Sequence, residues 1–137
     1  MAETKLNLEF TDISRSLKSF HFPEVDYIVG IATGGIYPAI MVAHQLDKPC
    51  RFIHVSFRDA ENNPIHSEPE LLSGNINDIP KGSAILLVDE VSVSGKTINK
   101  VLEILKDFHV KTFVLKGKGD FVLFPEINTC VNWPWKV

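Results

Sequence analysis

"ILLVDEVSVSGKT", residues 85–97, closes on the letters of a Walker A phosphate loop and carries an acidic pair, Asp89 and Glu90, ahead of them. A Walker A loop needs a glycine five positions before the glycine of its closing Gly-Lys-Ser/Thr. That place is taken by Glu90, whose carboxylate would face a polyphosphate and repel it. The ATPase reading fails. What remains is an apolar strand ending in two carboxylates, a short loop of small residues and the start of a helix. The main-chain N–H groups at Ser94 to Thr97 would lack helical partners and point outward, and the helix dipole favours an anion, so this turn can hold a phosphate. Ser94 and Thr97 add hydroxyl donors, and Gly95 lets the backbone approach closely. Asp89 and Glu90 suit a pair of sugar hydroxyls better than a phosphate. The stretch as a whole fits a ribose 5-phosphate. On these residues alone a plainer alternative stays open, in which the acids only end a strand and Ser94 only caps a helix.

Working outward, "DYIVGIA" (26–32) reads as a buried strand running into Gly34-Gly35, and "IYPAIMVAHQL" (36–46) as a helix that tolerates Pro38 in its first turn. "CRFIHVSF" (50–57) is a second strand, "SAILLVD" (83–89) a third, "KTFVLK" (111–116) a fourth, and "FVLF" (121–124) a candidate fifth. The segment after Lys96 sets Ile98, Val101, Leu102 and Leu105 on one helical stripe. "FTDISRSLKSF" is an amphipathic helix with Thr11 or Asp12 as its cap. The polar, proline-bearing segment from Arg58 to Gly82 reads as a long functional loop, and "NTCVNWPWKV" as an irregular tail. Strands alternating with helices predict a single α/β domain over residues 1–137, with a largely parallel sheet flanked by helices. Ligands of such sheets bind at the carboxyl ends of the strands, where "ATGG" and "DEVSVSGKT" both fall.

Composition narrows the function. A net charge of −3 gives no basic stripe for nucleic acid. The longest uncharged stretch, Tyr27 to Ala43, is broken by glycines and a proline, so no membrane span is expected. "MAETKLNLEF" has no cationic start followed by an apolar run, and Cys50 and Cys130 have no metal-type spacing. A cytoplasmic protein with reduced thiols is the expectation. The five histidines show no pairing at metal-ligand spacing, so no resident metal is expected. His66, in the long loop, is either solvated or able to approach the reacting groups.

"ILLVDEVSVSGKT" resembles the ribose-phosphate signature of type I phosphoribosyltransferases. "YIVGIATGGIYPAIMVAHQL" resembles the strand, pyrophosphate loop and helix of their purine branch. "HVSF" with the polar segment after it is similar to that branch's strand and mobile hood loop. "TCVNWPW" looks like the tail that covers the base in bacterial xanthine-guanine enzymes, the group the chain is most like. The resemblance spans nearly the whole chain and implies a type I fold with a reduced base-side hood. It also implies transfer of ribose 5-phosphate from phosphoribosyl pyrophosphate to a purine base such as guanine, xanthine or hypoxanthine. Magnesium would arrive on the pyrophosphate, and a homodimer or higher homo-oligomer is implied, for which the apolar helix 36–46 offers a face. Asp89 and Glu90 would take the ribose hydroxyls as the catalytic acids. Val93, Ser94, Gly95, Lys96 and Thr97 would form the 5-phosphate loop, and Thr33, Gly34 and Gly35 the pyrophosphate loop. Lys118, with Lys116 as the competing register, would read the exocyclic oxygen of the base, and Cys130 and Val131 would flank it. Trp133 and Trp135 read as packing residues.

Three departures qualify that picture. Val93 stands where purine members usually carry an aspartate that takes the proton of the base, and valine does no acid–base work. Thr33 replaces a cation often found in the pyrophosphate loop, leaving Arg58, Lys48 or a neighbouring subunit as alternative sources of charge. The segment between Lys118 and Pro125 is short for that branch. A second function is therefore carried alongside the first: a non-catalytic relative that binds a nucleotide or phosphoribosyl pyrophosphate as a sensor or regulator.

Overall fold

The computed structural model describes residues 5–56, 70–74 and 76–136. In chain order the elements are β1 (Leu6–Asn7), α1 (Phe10–Ser19), β2 (Tyr27–Ala32), α2 (Ile36–Leu46), β3 (Cys50–Ser56), β4 (Glu70–Gly74), β5 (Ala84–Ser92), α3 (Lys96–Ile104), β6 (His109–Gly117), β7 (Phe121–Val122) and β8 (Val131–Asn132). A six-stranded sheet has the order β4-β3-β2-β5-β6-β7. Only β4 runs antiparallel to its neighbour, so the expected largely parallel α/β sheet is present.

The sheet is covered on both faces, which is why its central strands read as unbroken apolar runs. On β5, Leu86 and Val88 pack with Ile13 and Leu17 of α1 and Val42 of α2. Ile85 and Leu87 face the other way, against Ile98 and Val101 of α3. Phe113 of β6 is completely buried and meets Phe20 edge-on, with ring centroids 5.3 Å apart. Truncating it empties the middle of the α1–α2 layer. Phe113→Ala should cost about 3–5 kcal/mol, to be read as a lower urea midpoint with an unchanged denaturant slope.

Several sequence expectations need correction. α1 is capped earlier than expected, two residues before Thr11 and three before Asp12: Glu9 is the N-cap, and Asp12 closes a capping box by accepting the Glu9 N–H at 2.8 Å. Thr11 lies inside the helix. The polar stretch is not loop throughout, because β4 forms within it as an edge strand on β3. The tail is not wholly irregular either, since β8 pairs in parallel with β1. β5 continues to Ser92 instead of stopping at Asp89. Val91 pairs with Lys116 and Ser92 with Gly117, so β6 carries the strand past both acids. The expected hood falls largely on residues 57–69, outside the described residues, and Arg58 and His66 lie there too. No described helix is long and apolar enough to cross a membrane.

Candidate functional site

Extension of β5 to Ser92 decides the geometry of the acidic pair. Successive side chains of a strand point to opposite faces. Asp89 therefore follows Ile85 and Leu87 toward the α3 side, and Glu90 follows Leu86 and Val88 toward the α1–α2 side. The two carboxylates do not converge in this structure.

Asp89 opens on a pocket of about 230 Å³, continuous with solvent and lined by Ser92, Val93, Ser94, Gly95, Lys96 and Thr97. Gly95 sits at the N-cap of α3 in the left-handed region (φ 80°), which turns the chain sharply into the helix. The first turn of α3 holds no acidic residue to compete for its N–H groups. Ser94 turns its hydroxyl inward, where it accepts a long hydrogen bond from Lys96 N–H at 3.3 Å. Val93 is 77% exposed, an aliphatic side chain at the mouth of a polar pocket. The expected phosphate-loop residues are thus gathered with one of the two acids. Burial pushes the Asp89 carboxyl up to about 7. The Glu90 N–H, donated to Asp89 Oδ1 at 2.8 Å, opposes that rise, while the nearby Glu90 charge adds to it.

Glu90 is buried and fully engaged elsewhere. Trp135 Nε1 donates to its Oε2 at 2.8 Å, and Lys136 Nζ donates to its Oε1 at 2.8 Å. Trp135 is held flat between two rings, Trp133 at 5.5 Å and Tyr37 at 5.9 Å. Tyr37 belongs to the first turn of α2, so the tail crosses the start of that helix. These tail contacts are the part of the site that sequence reasoning missed. Trp135 read as packing and Lys136 carried no signal, because a partner 45 or 46 positions away leaves no local pattern.

The loop at residues 33–35 joins β2 to α2 on the Glu90 side of the sheet. Gly35 is the N-cap of α2 and donates its N–H to Ile31 O at 2.7 Å, and the Ala32–Thr33 peptide is cis. Gly34 lies over Glu90: a Cβ there would sit 3.4 Å from Oε2. Thr33 is exposed. Lys48 cannot supply the charge this loop lacks. It follows the far end of α2, an 11-residue helix that spans about 16 Å.

The proposed base-side residues are scattered. Gly117 turns at φ 108° directly against the Ser92 backbone, and Lys118 N–H then donates to Ser92 O at 2.8 Å. This places Lys118, exposed, beside the end of β5, while Lys116 is half-buried on β6. Cys130 and Val131 are taken into the β1–β8 pairing. The Cys130 carbonyl, expected to be available to a base, accepts the Leu6 N–H at 2.9 Å. Neither residue lines the Asp89 pocket.

Known proteins resemble this chain in sequence and fold. The orotate phosphoribosyltransferase of Methanocorpusculum labreanum is 31% identical over 72 residues, 53% of this chain and 37% of that protein. The xanthine-guanine phosphoribosyltransferase of Nitratidesulfovibrio vulgaris is 27% identical over 120 residues, covering 79% of this chain and 67% of that one. The chain thus spans well under half the length of the orotate relative it matches. A crystal structure of a Neisseria gonorrhoeae protein with bound ppGpp superimposes with a TM-score of 0.76 at 25% identity, over 100% of this chain and 92% of that one. The phosphoribosyl transferase domain family matches residues 7–131, from β1 to the first residue of β8 and including both candidate loops, and the chain belongs to that family.

Proposed function

We propose that this chain transfers ribose 5-phosphate from phosphoribosyl pyrophosphate to a purine base, a 6-oxopurine such as guanine, xanthine or hypoxanthine, with release of pyrophosphate. The observation that carries this reading is the pocket in which Asp89 and the start of α3 face one small volume. An acceptor for sugar hydroxyls and an amide-rich anion site in one pocket support a ribose 5-phosphate as its ligand. Likeness to a xanthine-guanine enzyme supports the purine choice. Orotate relatives make a pyrimidine the competing base.

In this reaction the bond from C1 of the ribose to pyrophosphate breaks and a bond from C1 to a ring nitrogen forms. Positive charge grows on the sugar ring between the two events, and ionised Asp89 stabilises it from the pocket wall. Val93 offers nothing to take the proton leaving the base, so that proton passes to water or to the departing pyrophosphate. Magnesium fits as a companion of the substrate. Asp89 keeps one carboxylate oxygen off the Glu90 N–H and available to the waters of such an ion, and among the described residues no set of three His, Cys, Asp or Glu side chains is grouped to cage one. When bound, magnesium neutralises the leaving group.

The second reading is a nucleotide-binding regulator without turnover. It is favoured by the engagement of Glu90 with the tail and by Val93, and by the likeness to a protein that holds ppGpp. A panel of guanine, xanthine, hypoxanthine, adenine and orotate, each with magnesium and phosphoribosyl pyrophosphate, separates the two. Pyrophosphate release with a 6-oxopurine is the expected result. Tight nucleotide binding with no release from any base would transfer the assignment to the regulator.

A further inference from the structure

The geometry points to Lys136 as the cation of the pyrophosphate subsite, supplied by the tail to a loop that has none of its own. This rests on the transferase reading above and assigns one more residue to the same site. Residues 33–35 are Thr, Gly and Gly, so the loop offers amides and a hydroxyl but no positive charge. Glu90 lies directly beneath Gly34, which puts a buried negative charge where a pyrophosphate would approach. Uncompensated, that carboxylate would repel the leaving group.

Two independent contacts bring Lys136 to this spot. Its Nζ is 2.8 Å from Glu90 Oε1, while Glu90 Oε2 is the atom that faces Gly34, so one carboxylate group separates the ammonium from the loop. The preceding residue, Trp135, stacks on Tyr37 at an interplanar angle of 8°, fixing the tail across the turn of α2 that the loop opens. The indole N–H holds the second oxygen of Glu90, so its carboxylate cannot swing away and carry the lysine off.

An ammonium has three N–H donors. One serves Glu90, and the side chain is 60% exposed, so the others remain within reach of a ligand over the loop. Lys136 can therefore neutralise Glu90 and grip a phosphoryl oxygen together, and no exchange of partners is needed. Neither Lys48, at the far end of α2, nor any residue of the loop can do this.

Calorimetry on the full chain tests the assignment with two probes, magnesium pyrophosphate and ribose 5-phosphate. Lys136→Ala should weaken magnesium pyrophosphate at least tenfold and make its binding less sensitive to salt. Lys136→Arg should recover most of the affinity. Ribose 5-phosphate should change less than threefold in both variants, because its pocket is lined by Asp89 and the start of α3 and not by Lys136 or Glu90. A role confined to holding the tail would weaken both probes alike, and that result, or no change in either, overturns the proposal. Should Lys136→Ala fold poorly, the double variant Lys136→Gln/Glu90→Gln removes the unpaired carboxylate. It must still lose magnesium pyrophosphate relative to Glu90→Gln alone, or the proposal fails. Failure of the wild type to bind either probe overturns the transferase reading and this inference together, whereas wild-type binding with no effect of Lys136 overturns the inference alone.

Discussion

Asparagine at position 89 is expected to slow ribose transfer by about two to three orders of magnitude and, in the same protein, to raise the melting temperature at and above neutral pH. The two effects have one cause. Asp89 is a largely buried carboxyl whose pKa rises from 3.8 to about 7, mainly through loss of water. Between those two values the unfolded chain has already lost the proton that the folded chain keeps. Ionisation is then a cost borne by the native state alone, so stability declines as pH rises through that window and stays reduced above it. At about 1.4 kcal/mol per pKa unit the cost is a few kcal/mol at most. Asparagine keeps the shape and the acceptor for the Glu90 N–H but carries no charge to desolvate. Thermal melts from pH 4 to 8 should therefore show the wild type falling away from a flatter Asp89→Asn profile, and parallel profiles would contradict this account. The same carboxylate is what a developing positive charge on the ribose requires, so the gain in stability accompanies the loss in turnover. Ligand binding near pH 6.5 should also release more protons from the wild type than from the variant, measured by calorimetry in buffers of different ionisation enthalpy.

Alanine at position 35 should damage both the fold and the site. Its Cβ would stand 2.5 Å from Ile31 O and 2.7 Å from Val88 O, backbone atoms of the two central strands β2 and β5. Neither carbonyl belongs to a side chain that can turn aside, so the loop itself must lift. The hydrogen bond from Gly35 N–H to Ile31 O would stretch, and so would the bond from Ala39 N–H that opens α2. A cost of about 3 kcal/mol follows from overpacking of this kind, with about a hundredfold loss of transfer as the loop moves off its position. Gly34→Ala is the control. There a Cβ meets only Glu90 side-chain atoms at 3.4–3.6 Å, ordinary contact, so its urea midpoint should move far less. Equal destabilisation by both substitutions would mean that the loop is not pinned by the strands as described.

Much of the architecture was legible along the chain because it depends on local patterning. The apolar runs of β2, β3 and β5 sit where the residues place them, α2 spans Ile36–Leu46 as its sequence suggests, and the helix stripe of Ile98, Val101 and Leu105 does pack inward. β4 and β8 were not legible. Short segments such as "ELLSG" and "VN" have little strand propensity of their own and are ordered by the partners they meet.

By itself, the amino-acid sequence determined which chemical groups are available: two adjacent acids, a Ser-Gly-Lys-Thr turn at a helix start, and a Gly-Gly turn without a cation. Where those groups point was decided only in three dimensions. β6 pairs with β5 as far as Gly117, whose missing side chain admits the Ser92 backbone, and that pairing keeps the acids within a strand. Alternation then sends Asp89 to the pocket at the start of α3 and Glu90 to Trp135 and Lys136. A two-residue periodicity can be read from letters, but the length of a strand depends on its neighbour, and that neighbour is set by contacts between residues distant in the chain.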